Sequence, residues 1–189
     1  MGIYKIYGFL FLLVVLCSCN MFHPKYVDTP DGRLQPAKSE YCFSKKTFVP
    51  NNLVDTSVVY MTENMVVTCN KNGEKISDEH CAFGFIEFSS TGTAFLSSLN
   101  FISKPEAGTF ESLPDGQYCF YESVDSSVII EYYRFDLRLF ELWHGKIQPN
   151  GDIYFYSAKG RPFGTYSERI SYMYKKSDIK RTKPLVFPE

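Results

Sequence analysis

Basic charge is not in excess in this sequence: 20 Lys and Arg stand against 21 Asp and Glu in 189 residues, for a formal net charge of -1. Nucleic-acid binders usually carry clustered cationic side chains, so no nucleic-acid partner is expected. Long apolar runs are missing as well. A spanning helix needs about 20 apolar residues, whereas the best run, Ile6 to Leu16, is short and interrupted by Tyr7 and Gly8. Catalytic signatures are absent: there is no Gly-x-Ser-x-Gly elbow, no His-Glu-x-x-His, no phosphate-binding glycine loop and no Gly-x-Gly-x-x-Gly. Cys69, His80, Cys81 and His144 lack the paired spacing of a structural zinc site. Asn70, Asn72, Asp78 and Glu79 suggest a cation loop, but Gly73 is misplaced for an EF-hand. No metal, no cofactor and no catalytic residue is therefore assigned. Apolar residues make up 44% of the chain and aromatic ones 17%, which excludes a disordered or collagen-like protein.

The start of the chain has the layout of a secretory signal: Lys5 is followed by the apolar run to Leu16, and polar Ser18, Asn20 and His23 close it. Leu16-Cys17-Ser18-Cys19 resembles the lipobox of bacterial lipoproteins, with Leu three positions before a Cys and a small residue just before it. The resemblance covers the first 19 residues. It implies a signal peptide at 1–18, cleavage before Cys19, and lipidation of Cys19 on its thiol and amino groups by acyl chains of the palmitate kind. Cys17 is the poorer candidate because bulky Leu16 precedes it; as the residue two before Cys19, it is also a departure from the family pattern. An ordinary signal peptide or an uncleaved anchor is the alternative. Two or three acyl chains hold a protein stably on a bilayer, where one holds it only marginally. By the family's sorting rule, Asn20 implies outer-membrane delivery. The lack of acidic residues between Cys19 and Asp28 favours the periplasmic leaflet over the cell surface.

Residues 19–36 contain Pro24, Pro30 and Pro36 with few apolar side chains, the composition of an extended linker. Residues 37–183 are expected to form one β domain, and 184–189, with Pro184 and Pro188, a tail that covers an edge or hangs free. Tyr133, Phe135, Leu137 and Leu139 alternate with Arg134, Asp136 and Arg138, which predicts a half-buried strand with a bulge or bend at Leu139-Phe140. Further strands are expected at Ser57 to Val67, Ala82 to Ser89, Thr93 to Leu99, Gln117 to Glu122, Val128 to Tyr133, Ile153 to Ala158 and Arg169 to Lys175. A short helix around Asp55 to Val66 fits almost as well. Ser90-Thr91-Gly92, Pro114-Asp115-Gly116 and Pro149-Asn150-Gly151-Asp152 supply turn chemistry between them. The fold class is mainly β: a single antiparallel barrel or sandwich-like meander of about seven to nine strands.

Val54-Asp55-Thr56 with Val59-Tyr60, Phe85-Ile86-Glu87-Phe88, Gly116-Gln117-Tyr118 before Ile130-Glu131-Tyr132, and Gly145-Lys146-Ile147 before Asn150-Gly151 follow one another across residues 53 to 175. Their order resembles small Gram-negative lipoproteins with a lipocalin-like or related antiparallel β domain. The resemblance rests on strand and turn grammar, and it implies no catalytic residue. The long apolar stretch Val128 to Trp143 departs from a meander of short strands.

Cys42, Cys69, Cys81 and Cys119 remain in the mature chain, an even number in a compartment that permits disulfides. Four cysteines allow three pairings. Cys69 with Cys81 is the simplest, closing the polar segment Asn70 to His80, while four unpaired buried thiols are the alternative. Aromatic residues at Tyr132-Tyr133, Tyr154-Phe155-Tyr156 and Tyr172-Met173-Tyr174 put rings on both faces of their strands, so two apolar environments are needed. The expectation is a lipid-anchored cell-envelope protein, more a binder than an enzyme, which holds an apolar small molecule or an envelope protein partner. Trp143, Tyr133, Phe135, Tyr154 and Tyr156 are the candidate contacts. The alternative is a periplasmic hydrolase of cell-wall or carbohydrate substrates using Glu131, Glu141 or His144, or a Glu87–Glu131 carboxylate pair.

Overall fold

The computed structural model describes residues 24–29, 32–69, 75–101, 116–135, 137–161, 167–180 and 184–188; the side chains of 63–69, 75–83, 98–101 and 168 lie outside that description. Cys19, the lipobox and the signal segment also lie outside the described residues.

Eight strands form a closed antiparallel barrel: β3 (Val58–Cys69), β4 (Lys75–Phe88), β5 (Thr93–Phe101), β6 (Gly116–Val124), β7 (Ser127–Arg134), β8 (Leu139–Ile147), β9 (Ile153–Arg161) and β10 (Ser167–Lys180). Each strand pairs with the next in sequence, and β10 returns to pair with β3. An all-next-neighbour barrel leaves no sheet edge open to other chains. The expected mainly β meander is therefore a barrel, and its closure and strand order fit a lipocalin-like fold. The helix weighed for Asp55 to Val66 does not form, because β3 occupies it from Val58 onward.

Alternation within the strands separates inside from outside. Val58, Tyr60, Ile86, Phe88, Ala94, Tyr121, Ile130, Ile147, Ile153 and Phe155 belong to the interior cluster. Most of these lie toward the end of the barrel closed by the β4–β5, β6–β7 and β8–β9 turns, where Phe48 packs edge-on against Tyr121 and Tyr121 against Phe88. Two of those turns carry their predicted glycine: Gly92 and Gly151 both have φ of +86°, a region that costs other residues strain. Gly145 is needed for a different reason, since a Cβ there would stand 2.7 Å from the Phe155 ring.

One predicted strand is overturned. Tyr133 to Leu139 does not run straight through: β7 ends at Arg134, β8 begins at Leu139, and Tyr133 pairs with Phe140 across a hairpin. The apolar–polar alternation crossed a reversal because Phe135 and Leu137 stand half-exposed on the turn itself. Arg138 takes φ +52° there without any glycine or asparagine to announce it. The long apolar stretch Val128 to Trp143 is thus two short strands, and no bulge is needed at Phe140.

The predicted linker also contains structure. Tyr26–Asp28 (β1) and Leu34–Pro36 (β2) pair as a two-stranded ribbon, followed by 3-10 turns at Lys38–Glu40 and Phe43–Lys45. This segment and the tail lie against the outer wall of the barrel. Tyr41, Leu185 and Phe187 bury themselves with outward-facing Phe95, Tyr118 and Phe120. Of the aromatics noted on both strand faces, Tyr133 meets this outer layer through Phe140, whereas Tyr156 and neighbouring Met173 stand exposed. The tail therefore packs rather than hanging free.

Candidate functional site

A cavity of about 670 Å³ lies toward the end of the barrel opposite the packed turns, with Leu96, Tyr132, Trp143, Tyr172 and Tyr174 among its walls. That volume is within the range of small-molecule sites. Trp143 is its central aromatic surface: its ring centroid lies 5.1 Å from Tyr132, 5.4 Å from Tyr172 and 5.6 Å from Phe155.

Behind these rings sits Glu141, 1% exposed and pointing into the barrel. The Tyr132 hydroxyl donates to its Oε2 at 2.9 Å, and the Trp143 indole N–H to its Oε1 at 3.1 Å. Arg134 Nη1 approaches Oε2 at 3.4 Å. A buried carboxylate needs such partners to offset its desolvation. Here the partners are the two aromatic walls, so Glu141 fixes their ring orientation.

The cavity reaches the outer layer through a seam. Pairing between β6 and β7 runs from Val124–Ser127 only as far as Phe120–Glu131. Beyond it, Gly116 to Cys119 and Tyr132 to Arg134 are not paired with one another. The N-terminal segment fills this gap: Gln35 Oε1 accepts the Tyr118 N–H at 3.3 Å, and the Tyr41 hydroxyl donates to the Tyr118 carbonyl at 3.2 Å. Backbone groups that a neighbouring strand would have satisfied are satisfied by two side chains instead. Burial pushes the Tyr41 phenol far above its ordinary value, opposed by the hydrogen bond it accepts from Gln117, so it stays protonated as a donor.

Glu131 anchors the same segment from outside. Fully buried, it accepts the N–H groups of Cys42 at 3.0 Å and Phe43 at 2.8 Å and pairs with Arg161 Nη2 at 2.8 Å. Arg161 also lies over the Phe140 ring, contacts Cys42 Sγ and donates to the Glu40 carbonyl.

The candidate contacts divide accordingly. Trp143 and Phe135 line the cavity. Tyr133 does not: it faces outward, bonded through its hydroxyl to Tyr26 at 3.0 Å and packed against Phe140. Tyr154 and Tyr156 are also outside, because Phe155 takes the inward position between them. The residues proposed for acid–base work are not gathered in a cleft. Glu141 faces in, while Glu131 and His144 alternate with the inward positions of β7 and β8 and face out. Glu131 is already saturated by two amides and a guanidinium. His144 Nε2 is buried without a hydrogen-bond partner, and burial followed by the Lys159 charge lowers its pKa. Glu87 is buried on β4 opposite Phe95. In the register Cys69 lies opposite Lys75 and Cys81 opposite Met65; the side chains of that proposed disulfide are outside the described residues. Cys42 and Cys119 are free thiols. Among the described residues no three His, Cys, Asp or Glu side chains cluster as a metal site.

Tyr132, Tyr172, Leu96 and Gln35 were not singled out from sequence as contacts. Tyr132 stands beside Tyr133, and adjacent tyrosines do not reveal which one faces in; Tyr172 and Tyr174, two apart, share the inward face. Gln35, in an apparent linker, gave no signal.

The closed eight-stranded antiparallel barrel fits a lipocalin-like fold and carries a cavity. Compared with known protein families, with curated proteins and with solved structures, the chain matches none.

Proposed function

We propose that this chain is a lipid-anchored cell-envelope protein that binds an apolar small molecule inside its barrel and performs no catalysis. The observation that carries the binding reading is the 670 Å³ cavity that, among the described residues, sets Leu96, Tyr132, Tyr172 and Tyr174 around Trp143. An interior as large as this would normally be filled by side chains in a small barrel. Here Glu141 instead holds Tyr132 and Trp143 in fixed positions around open space. A preformed apolar pocket of this kind lowers the ordering cost of binding. The anchor rests on the lipobox resemblance at Cys19; Asn20 favours the outer membrane, and the lack of acidic residues before Asp28 favours its periplasmic leaflet.

Trp143 is the only tryptophan of the chain, so its emission reports directly on the cavity. Titration with a long-chain alkanol should change that emission saturably, and an excess of a second apolar compound should reverse the change. A linear, non-saturating response would overturn the binding reading. Intact mass of membrane-extracted protein beside its Cys19→Ala version tests the anchor separately. A species that begins at acylated Cys19 and is missing from the variant is expected; an unacylated product in both would remove it.

A further inference from the structure

We infer that Tyr26, Leu34, Phe135 and Leu137 form an apolar patch beside the cavity that docks on the lipid bilayer and turns the cavity toward it. This rests on the reading of a lipid anchor at Cys19, and it adds the surface that meets the membrane.

The four side chains are 41% to 59% exposed. They come from two separate segments, the β1–β2 ribbon and the turn between β7 and β8, yet they gather at one place. Tyr26 and Phe135 both pack edge-on against Tyr133, with ring centroids at 6.1 and 5.1 Å. Leu137 shares its turn with Phe135, whose carbonyl accepts the Arg138 N–H at 3.3 Å. Leu34 and Phe135 belong to the cavity wall as well. Single exposed apolar residues need no explanation, but a group of them next to a cavity marks a contact surface.

Charge does not set its partner. Residues 25–34 and 134–138 hold Lys25, Arg33, Arg134 and Arg138 against Asp28, Asp31 and Asp136, so neither sign dominates. The attraction on offer is apolar, which suits the boundary between lipid head groups and acyl chains. The chain also brings that boundary within reach. Only Asn20 to Lys25 separate Cys19 from Tyr26. Fully extended, at about 3.6 Å per residue, they keep Tyr26 within about 25 Å of an acylated Cys19. The anchor therefore leads into the patch itself. The closed end lies farther away by the length of the barrel wall, about 30 Å for a nine-residue strand such as β6.

The test reads lipid contact by tryptophan quenching. Membrane-extracted protein, whose intact mass shows whether Cys19 is acylated, is placed in phosphatidylcholine vesicles brominated near the top of the acyl chains. Leu137→Trp puts a reporter in the patch. Val49→Trp puts one at the opposite end, at a site 70% exposed beside Gly92 and Val124. The emission of Trp143 is subtracted with the unaltered protein. Leu137→Trp should shift to the blue and be quenched, Val49→Trp should do neither, and adding Leu34→Asp to Leu137→Trp should abolish the quenching. Acylated protein with no quenching at either position overturns the docking, leaves the anchor standing and makes a protein the occupant of the patch. Equal quenching at both ends, or quenching that ignores Leu34→Asp, overturns it too. Protein without acyl chains removes the anchor reading, and the docking then stands only if Leu137→Trp is still quenched.

Discussion

Glu131 and Glu141 stand on adjacent strands of one hairpin, both sealed from solvent, yet they point to opposite sides of the barrel wall. Glu131 pairs across the strands with Leu142 and Glu141 with Tyr132, so the two carboxylates differ in phase by one residue. That single step gives them unrelated tasks. The outward glutamate fastens the N-terminal segment, and the inward one orients the cavity walls.

Replacing Glu131 by Gln should destabilise the protein by about 3 kcal/mol, the usual result of removing one partner from a buried ion pair. Arg161 loses its anion, and an amide cannot accept both the Cys42 and Phe43 N–H groups as the carboxylate does. Because the anchored segment lies outside the barrel, its release should precede global unfolding. Limited proteolysis checks this: cleavage should appear between residues 24 and 48 in the variant well before the strands are cut. Equal protease resistance would mean that the aromatic layer alone holds the segment.

Glu141→Gln should act on the cavity instead. One of its donors, Tyr132 or Trp143, would face the new amide NH₂ and lose its bond, at a cost of about 1–3 kcal/mol. The consequence to measure is optical: Trp143 emission should shift, and its anisotropy should fall as the ring gains freedom. An unchanged spectrum would show that packing against Tyr172 and Phe155 is sufficient to hold the indole.

The outer layer predicts a third effect. Phe187 is 6% exposed, stacks on Phe120 with centroids 5.0 Å apart and touches Tyr41 edge-on. Phe187→Ala should cost about 3–5 kcal/mol, as for other buried phenylalanines. Denaturant unfolding measures it, and a loss under about 1 kcal/mol would show that the tail rests on the wall without being needed.

The barrel was more legible than the cavity for identifiable reasons. Ser90-Thr91-Gly92 and Asn150-Gly151 mark their turns because a positive φ demands glycine there. The Phe135–Arg138 turn uses no such residue, so alternation ran through it unbroken. Trp143 could be picked out as a lone large aromatic. The phase of Tyr132 and Tyr133 could not be read, and Tyr133, Tyr154 and Tyr156 lie on the outer side of the wall. Gln35 was hidden because its role depends on a gap between β6 and β7, and nothing local in the sequence shows that two strands will part.

His144 supplies a prediction in pH. Its imidazole is held below the usual value near 6.5, chiefly by burial and then by the Lys159 charge. The folded state therefore binds the proton less readily than the unfolded chain. Between the lowered native pKa and about 6.5 the unfolded state carries more protons, so stability must fall as the pH drops through that window and be fully present above it. Chemical denaturation at about pH 7.5 and about pH 5, on either side of the ordinary imidazole range, should give a lower midpoint in acid for the wild type. In His144→Gln the difference should shrink, because the titrating group is gone. If the two proteins lose the same amount, the acid sensitivity belongs to other groups, and the buried Nε2 of His144 carries no linkage.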